Sequence, residues 1–464
     1  MTESLVSQNT ETAIQILKQK FGDRLSTGAS VRQQHGHTTT WLENQPPDAV
    51  IFAQSTDEVS DILRVASQYQ IPVIPFGTGT SLEGHVNAPE GGISVDVSQM
   101  DQIVAVHPED LTVVVQPGVT RKALNEYLRD TGLFFPIDPG ADASLGGMAA
   151  TRASGTNAVR YGTMKDNVIS LQAVMPSGEV IRTGNRARKS AAGYDLTRLM
   201  IGSEGTLGLI TELTLRLYGI PEAMSSARCS FPSVKEACDA VILTIQCGIP
   251  VARIELLDAV SVGAINNYSK TDLPEETLLL LEFHGTESSV KEQAEAFGEI
   301  ADDCQGSGFT WTASPEERTK LWQARHDAYW AQLALRPGCA GISTDVCVPI
   351  SNLAEAVTRS RDKAAELNLL SPIVGHVGDG NFHCLLLIDN EDETERANAR
   401  TFITWLSSMA LELEGTISGE HGIGQGKVKS LIKEIGGSLG VMQAIKTTLD
   451  PLNIMNPGKI IELP

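Results

Sequence analysis

The stretch Pro75-Phe76-Gly77-Thr78-Gly79-Thr80-Ser81-Leu82-Glu83-Gly84 decides which fold this chain is expected to adopt. It follows a turn and strand pattern in residues 46–54, a helix pattern and a second short apolar strand, an order typical of an α/β or α+β domain. Thr56 is the expected cap of that helix, and Val59, Ile62, Leu63 and Ala66 form its apolar stripe. The glycines and hydroxyl side chains of the loop can present hydrogen-bond donors to a pyrophosphate. A Rossmann fingerprint would require glycine at position 82, and a Walker A loop would require Lys-Ser or Lys-Thr. Alone, the loop fits an ordinary turn nearly as well.

Two further glycine-rich stretches follow, at Pro139–Val168 and Lys189–Leu217. Between Gly77 and Gly208 lie 18 of the 42 glycines of the chain. A loop-rich domain with many tight turns would explain this concentration. Because the glycines cluster beside apolar strands, a backbone that closely approaches a bulky ligand explains it better.

The three stretches resemble the flavin domain of the vanillyl-alcohol-oxidase and p-cresol-methylhydroxylase (PCMH) superfamily. Over residues 46–464 the chain more closely resembles the FAD-linked D-2-hydroxy-acid dehydrogenases, the group of D-lactate dehydrogenase and the glycolate oxidase flavin subunit. The resemblance implies an α+β protein with a PCMH-type, two-subdomain FAD-binding domain and a ferredoxin-like α+β substrate or cap domain. The expected limits are an N-terminal segment (1–45), the FAD domain (46–222), the cap with a metal site (223–425) and a C-terminal segment (426–464) that returns to the FAD domain.

The resemblance also implies which residues hold FAD, with Gly77–Ser81 at the pyrophosphate and Asn456 close to the flavin ring. Some superfamily members attach FAD through a histidine in the glycine loop, but Thr80 stands there and His85 lies beyond it. We therefore expect non-covalent FAD. The full expected set is Pro75, Gly77, Thr78, Gly79, Thr80, Ser81, Pro139, Gly140, Ser144, Gly147, Gly155, Asn157, Gly162, Glu204, Gly208, Ile210 and Asn456.

A second chemical signal lies in Gly375-His376-Val377-Gly378-Asp379-Gly380-Asn381-Phe382-His383. Asp-Gly between apolar stretches predicts a two-residue hairpin loop. His376 would then oppose His383, with their Cβ atoms about 4.5–5.5 Å apart. Such a pair suits two imidazoles on one metal ion, although two hydrogen-bonded core histidines would give the same pattern.

The segment Ser418–Gly424 offers a carboxylate and a base side by side, Glu420 and His421, between glycines. The resemblance assigns His376, His383 and Glu420 as ligands of a divalent metal and His421 as the catalytic base. Two histidines and one carboxylate suit zinc or manganese, and the sequence does not choose between them.

A substrate carboxylate needs a cationic partner, for which a guanidinium is well suited. Composition alone does not choose among Arg318, Arg325 and Arg336, and a surface salt bridge is the ordinary role of each. The family pattern favours Arg325. Relatives that use dicarboxylates carry a lysine in the region that corresponds to 342–349, where this chain has none. That difference favours a small monocarboxylate.

The expected reaction is FAD- and metal-dependent oxidation of a D-2-hydroxy acid, best D-lactate to pyruvate, with hydride transfer to flavin and a cytochrome, quinone or other non-NAD electron acceptor. The main alternative is the flavin subunit of a glycolate dehydrogenase complex. Non-redox use of the fold, as in alkyl-glycerone-phosphate synthase, and flavin binding without turnover are further alternatives. The histidine and carboxylate constellation argues against both.

Composition limits the partners and the compartment. The 36 Lys and Arg against 57 Asp and Glu give a net charge of −21. This charge argues against nucleic acid and allows at most peripheral membrane contact. The seven cysteines include no CxxC pair, which fits a reducing compartment. With a polar, acidic start to the chain, we expect a cytoplasmic protein, and a homodimer stays open.

Overall fold

The computed structural model describes residues 2–463, with side-chain environments from residue 8 onward. Helices and strands are numbered here in chain order. The helices are α1 Thr2–Phe21, α2 Ala29–His35, α3 Thr56–Tyr69, α4 Arg121–Leu128, α5 Leu145–Thr151, α6 Ala158–Tyr161, α7 Met164–Asn167, α8 Leu196–Met200, α9 Val234–Gln246, α10 Ala259–Ser269, α11 Glu287–Asp303, α12 Pro315–His326, α13 Ala328–Leu333, α14 Leu353–Glu366, α15 Glu393–Glu412, α16 Val428–Ile435 and α17 Leu439–Leu449.

The strands are β1 Leu25–Ser26, β2 Ala49–Phe52, β3 Val73–Phe76, β4 Ile93–Asp96, β5 Ile103–His107, β6 Thr112–Val115, β7 Leu133–Phe134, β8 Val168–Val174, β9 Val180–Arg182, β10 Leu209–Arg216, β11 Tyr218–Gly219, β12 Ala223–Phe231, β13 Val251–Leu257, β14 Thr277–Gly285, β15 Ser307–Thr312, β16 Ala340–Ser343, β17 Val346–Cys347, β18 Ile373–His376 and β19 Asn381–Ile388.

The chain divides into two compact units. Unit 1 contains residues 1–154, 163–219 and 420–464, and unit 2 contains residues 155–162 and 220–419. The domain limits expected after residues 222 and 425 differ from this division by a few residues. The larger difference is the short segment Gly155–Gly162, which lies within the expected FAD domain but packs in unit 2.

Unit 1 begins with a sheet of order β1-β2-β4-β3, in which β2, β4 and β3 are parallel. Helix α3 connects β2 to β3 and buries its predicted apolar stripe, which includes Val59 and Ile62. The helix is capped by Ser55, whose side chain accepts a hydrogen bond from the Glu58 N–H, so the cap expected at Thr56 is one residue earlier. Strand β3 ends at Phe76 and delivers the glycine loop.

The second sheet of unit 1 is antiparallel, with order β5-β6-β10-β8-β9. Strands β6, β8 and β10 contribute buried apolar residues that form one core with α4 and α5. Because β10 forms the last part of the third glycine-rich stretch, the sheet fixes the position of Ile210 within the strand and of Gly208 directly before it.

Unit 2 is built on one large sheet of order β15-β12-β14-β13-β18-β19-β16, with β17 also paired to β19. In chain order its first four strands run β12, β13, β14, β15, so their spatial order is 4-1-3-2, with α9 and α11 as the crossover helices. This is the ferredoxin-like βαββαβ arrangement that the sequence predicted. Helices α9, α11, α14 and α15 share the main core of the sheet, while α10, α12 and α13 form a second core.

A buried charged network stabilises unit 2. Glu282 on β14 accepts a hydrogen bond from His284 at 2.8 Å and lies 3.6 Å from Arg253 and 3.7 Å from Arg318. Burial acts to raise the pKa of Glu282, but the His284 hydrogen bond and the two guanidinium charges outweigh it and lower the pKa from 4.5 to about 2. Tyr161 donates to His284 at 2.8 Å, which ties the segment Gly155–Gly162 into this network.

We expect Glu282→Gln to remove a pH-dependent part of the stability. Because the folded-state pKa lies below the unfolded value, the contribution of Glu282 is complete above pH 4.5 and is lost as the pH falls towards about 2. The difference corresponds to roughly 3 kcal/mol. Urea unfolding at pH 7, 4.5 and 3 should show a lower free energy of unfolding for the variant at pH 7 and a flatter acid dependence.

The matched control is Glu412→Gln, which breaks an exposed ion pair with Arg359 in the same unit. It should leave the free energy of unfolding almost unchanged, since solvent screens such pairs. If the free energy of unfolding depended on pH in the same way in wild type and Glu282→Gln, a lowered pKa of Glu282 in the folded protein would be contradicted.

Among residues 2–463, every helix is too short or too polar to cross a lipid bilayer.

Candidate flavin and metal sites

A large cavity lies within unit 1, with about 1230 Å³ of empty space including its open mouth. Its walls come from the end of β3 and the glycine loop, from the segment before and along α5, from the loop before β10, and from the returning C-terminal segment. Four segments that are far apart in the sequence thus meet around one space that is large enough for a cofactor.

Thirteen of the seventeen residues expected at FAD line this cavity, and they are Pro75, Gly77, Thr78, Gly79, Thr80, Ser81, Pro139, Ser144, Gly147, Glu204, Gly208, Ile210 and Asn456. Gly140 is absent from the wall, although Pro139 and Ala141 on either side belong to it. Gly155, Asn157 and Gly162 lie in unit 2, where Asn157 accepts a hydrogen bond from Arg253. Glu420 and His421 line the cavity as well.

The wall of the cavity fits a pyrophosphate-containing cofactor. The hydroxyls of Ser81 and Ser144 are buried, and within the described part of the chain neither has a hydrogen-bond partner. A buried hydroxyl without a partner is costly, so both are suited to a ligand. Gly77 allows this arrangement, because a methyl group there would lie 2.2 Å from the Ser144 hydroxyl. Gly79 adopts φ +65°, which favours glycine.

Asn456 closes the cavity from the C-terminal segment. Its amide donates to the backbone carbonyls of His85 at 3.1 Å and Glu204 at 2.8 Å, and its Oδ1 accepts from Lys459. Asn456 itself has φ +42°. Burial lowers the pKa of Lys459 to about 7. Both ends of the Asn456 amide are therefore hydrogen-bonded, so Asn456 does more than form a turn before Pro457.

In unit 2, the two predicted histidines lie together on β18 and β19, but in a different register from the expected one. Gly375 pairs with Phe382, so His376 opposes Asn381 and His383 opposes Val374. The turn contains four residues, 377–380, instead of two. This two-residue change keeps both histidines on the same face of the sheet. Their ring centroids are 5.4 Å apart, with the rings at 78°.

The tautomer of each histidine is set by an acceptor on Nδ1. The Nδ1–H of His376 donates to Glu255 Oε1 at 2.7 Å, and that of His383 donates to the Thr344 carbonyl at 2.9 Å. Because these oxygens only accept, the lone pair of each neutral ring lies on Nε2. Histidines that bind metal through one nitrogen commonly have the other fixed in this way. The pair therefore fits two ligands of a divalent cation.

Glu255 is the residue of this site that the sequence analysis missed. It lies on β13, is fully buried, and accepts from both His376 and Arg325. Burial acts to raise the pKa of this carboxyl, but the charges and hydrogen bonds of His376 and Arg325 outweigh it and hold the pKa below its ordinary value. A charged residue within the apolar strand Val251–Leu257 was the available signal, because a buried charge requires a partner.

Arg325, expected at the substrate carboxylate, directs Nε and Nη2 to Glu255 Oε2 at 3.0 and 2.7 Å. The guanidinium has five N–H donors. The ion pair with Glu255 therefore fixes the plane of the Arg325 guanidinium, and the remaining N–H donors could still bind the carboxylate of a substrate. The other two candidates have different partners, since Arg336 pairs with Glu395 and Arg318 lies near Glu282.

Comparisons with known proteins agree with the fold and with a cavity for FAD. Residues 220–460 match the family model "FAD linked oxidases, C-terminal domain", and residues 47–184 match the "FAD binding domain". A probable mitochondrial D-lactate dehydrogenase of Danio rerio is 51% identical over 98% of this chain and 92% of its own length. The mitochondrial D-lactate dehydrogenase (cytochrome) of Arabidopsis thaliana is 49% identical over 96% of this chain and 79% of its own length. The solved structure of p-cresol methylhydroxylase with substrate bound has a TM-score of 0.82 at 17% identity, covering 98% of this chain and 97% of that one.

The fold and the cavity define a flavoprotein of the PCMH type, which confirms the predicted fold class and the prediction of FAD. The chain belongs to the family of FAD-linked oxidases and is an FAD-linked oxidoreductase.

We expect Gly79→Ala to weaken FAD binding at least about 10-fold, equivalent to roughly 1.4 kcal/mol. The added methyl would lie 2.8 Å from the Phe76 ring in a backbone with positive φ, so the loop must shift its N–H donors. Quenching of FAD fluorescence by the deflavinated protein measures the affinity. Gly132→Ala is the control, because Gly132 has φ +72° and open space around it. Equal FAD affinity of Gly79→Ala and wild type would contradict a role of the loop in binding.

Proposed function

We propose that the protein oxidises D-lactate to pyruvate. The observation that carries this proposal is that His421 and Glu420 line the same cavity as the glycine loop of the FAD domain. This arrangement supports His421 as a base that acts next to the cofactor. The names of the two relatives support D-lactate over glycolate as the substrate.

Each proposed role follows from the chemistry of the side chain. His421 accepts the proton of the 2-hydroxyl group, as a general base does. Arg325 binds the substrate carboxylate, while Glu255 holds its guanidinium plane. FAD, when bound, supplies the two-electron acceptor for the hydride on C2 of the substrate. Thr80 in the glycine loop supports non-covalent attachment, so acid precipitation should release the flavin.

We further propose a divalent cation, zinc or manganese, on His376, His383 and Glu420. The orientation of both imidazoles supports it. Gly419 packs against Asn381, the register partner of His376. Glu420 follows Gly419 directly, and consecutive Cα atoms are about 3.8 Å apart. A cation there would supply a Lewis acid. Metal analysis should show about one equivalent in wild type and much less in Glu420→Gln, and equal contents would remove Glu420 as a ligand.

We propose a cytochrome as the electron acceptor and the cytoplasm as the compartment. A cytochrome is favoured by the name of the Arabidopsis relative, and the net charge of −21 would suit a basic acceptor of that kind. A cytoplasmic location is favoured by cysteine usage, and subcellular fractionation tests it. A homodimer is tested by light scattering.

The experiment that tests the function is an anaerobic titration of the holoenzyme, followed by its visible spectrum. D-lactate, L-lactate, glycolate and D-2-hydroxyglutarate are added separately. We expect D-lactate to bleach the flavin band and L-lactate to leave it. Preferential bleaching by glycolate would favour the glycolate dehydrogenase alternative, and a flavin that none of the four bleaches would contradict the proposal.

A further inference from the structure

One carboxylate, that of Glu204, binds two backbone N–H groups of the loop Glu420–Gly424, which carries the candidate base; the Ile460 N–H also donates to the Gly424 carbonyl. Glu204 accepts a hydrogen bond from the Ile423 N–H on Oε1 and another from the Gly424 N–H on Oε2, both at 2.7 Å. Hydrogen bonds to an ionised acceptor are about twice as strong as neutral ones. The backbone two residues beyond His421 is therefore fixed through Glu204.

Glu204 is itself fixed. Its side chain is buried, its backbone has φ +52°, and Asn456 donates to its carbonyl. His85 Nε2 lies 3.2 Å from Oε2, and both side chains are almost fully buried. Burial acts to raise the pKa of Glu204, but His85 and the two N–H donors outweigh it and lower the pKa. Glu204 is thus a carboxylate at neutral pH.

The loop fits against this pair without spare room. A methyl group on Gly422 would lie 2.6 Å from Glu204 Oε1 and 2.8 Å from His85 Nε2, and Gly422 has φ +82°. An alanine at position 422 would therefore strain the backbone beside His421 and press against the Glu204 and His85 side chains, at a point where the next two N–H groups are bound to Glu204.

We propose that Glu204, supported by His85, is a positioning residue that sets the place of His421 in the cavity. This inference rests on the proposed function, in which His421 accepts the hydroxyl proton. A general base works only within hydrogen-bond reach of its proton, and a displacement of about 1 Å can cost about 100-fold in rate. The resemblance implies that Glu204 lines the cofactor. We add that its carboxylate binds the backbone of the loop Glu420–Gly424.

Two variants of the holoenzyme test the proposal. Glu204→Gln keeps one acceptor oxygen but turns an amide NH2 towards the other N–H, and Gly422→Ala displaces the loop while keeping the carboxylate. Both should retain bound FAD and be reduced by D-lactate about 100-fold more slowly in anaerobic stopped-flow experiments. Without substrate, amide hydrogen exchange in residues 418–427 should be about 10-fold faster or more in Glu204→Gln, since a charged acceptor is lost.

The matched control is Asp96→Asn, because Asp96 forms another buried histidine–carboxylate pair of unit 1, with His35 at 2.8 Å. It should change neither the reduction rate nor the exchange of residues 418–427. Wild-type rates or wild-type exchange in both Glu204→Gln and Gly422→Ala would overturn the inference. If D-lactate fails to reduce the wild type, the proposed function fails, while the exchange measurement still decides whether Glu204 holds the loop.

Discussion

Replacing His421 by alanine should slow anaerobic reduction of the flavin by D-lactate by about 10²–10⁴-fold, the usual contribution of a general base. His421 lines the cavity beside the glycine loop, and the variant leaves the thirteen expected FAD residues of the wall unchanged. We therefore expect the visible spectrum and the flavin content to match those of the wild type. Stopped-flow absorbance at saturating D-lactate measures the rate.

The control for this variant is His107→Ala, which removes a half-buried histidine of β5 in the same unit. It should be reduced at nearly the wild-type rate. Reduction of His421→Ala within a few-fold of wild type would exclude His421 as the base. Loss of FAD from His421→Ala would instead mean that the residue acts in cofactor binding.

Replacing Glu255 by glutamine should have the largest combined effect in unit 2. The fully buried carboxylate pairs with Arg325 and fixes the tautomer of His376. Removing one partner of a buried ion pair costs roughly 3–5 kcal/mol. Loss of an orienting carboxylate behind a histidine ligand typically lowers metal affinity about 10–100-fold. Urea unfolding measures the first effect, and titration of the chelated apoprotein with zinc or manganese measures the second.

Glu395→Gln is the matched control, because it breaks the bidentate pair of Glu395 with Arg336 in the same unit, where both side chains are partly exposed. Its effect on unfolding should be much smaller, and its metal affinity should equal that of the wild type. A Glu255→Gln protein with wild-type metal affinity would exclude a role of Glu255 in metal binding.

The local parts of the fold follow from sequence patterns. The strand at β2, the apolar stripe of α3 and the glycine loop after β3 all depend on neighbours within about ten residues. The predicted α+β class was confirmed for the same reason, since alternating strand and helix patterns specify layers. The helix cap was displaced from Thr56 to Ser55, because two adjacent hydroxyl residues give nearly the same signal.

Features that depend on distant residues could not be predicted in this way. The Asp379-Gly380 pair suggested a two-residue turn, but Gly378 packs against Val159 and Ile254, and the observed turn has four residues. The observed register differs from the expected one by two residues, an even number, so the two histidines still lie on the same face of the sheet. Glu255 stands 121 residues from His376, and pattern analysis of either segment cannot pair them.

The segment Gly155–Gly162 shows the same limit. The resemblance implies that Gly155, Asn157 and Gly162 line FAD, and within unit 2 Arg253 donates to Asn157 and Tyr161 donates to His284. These partners lie about 100 residues or more further along the chain. Which unit a short loop joins is decided by such long-range contacts rather than by its own composition.

The returning C-terminal segment has a consequence for biosynthesis. Glu420, His421 and Asn456 complete the wall of the cavity in unit 1, but the ribosome makes them only after all of unit 2. A nascent chain therefore carries an open-sided flavin domain throughout translation of the intervening 200 residues (220–419). We therefore expect FAD loading to follow the synthesis of Asn456, and a chain truncated before Asn456 to lack part of the cavity wall.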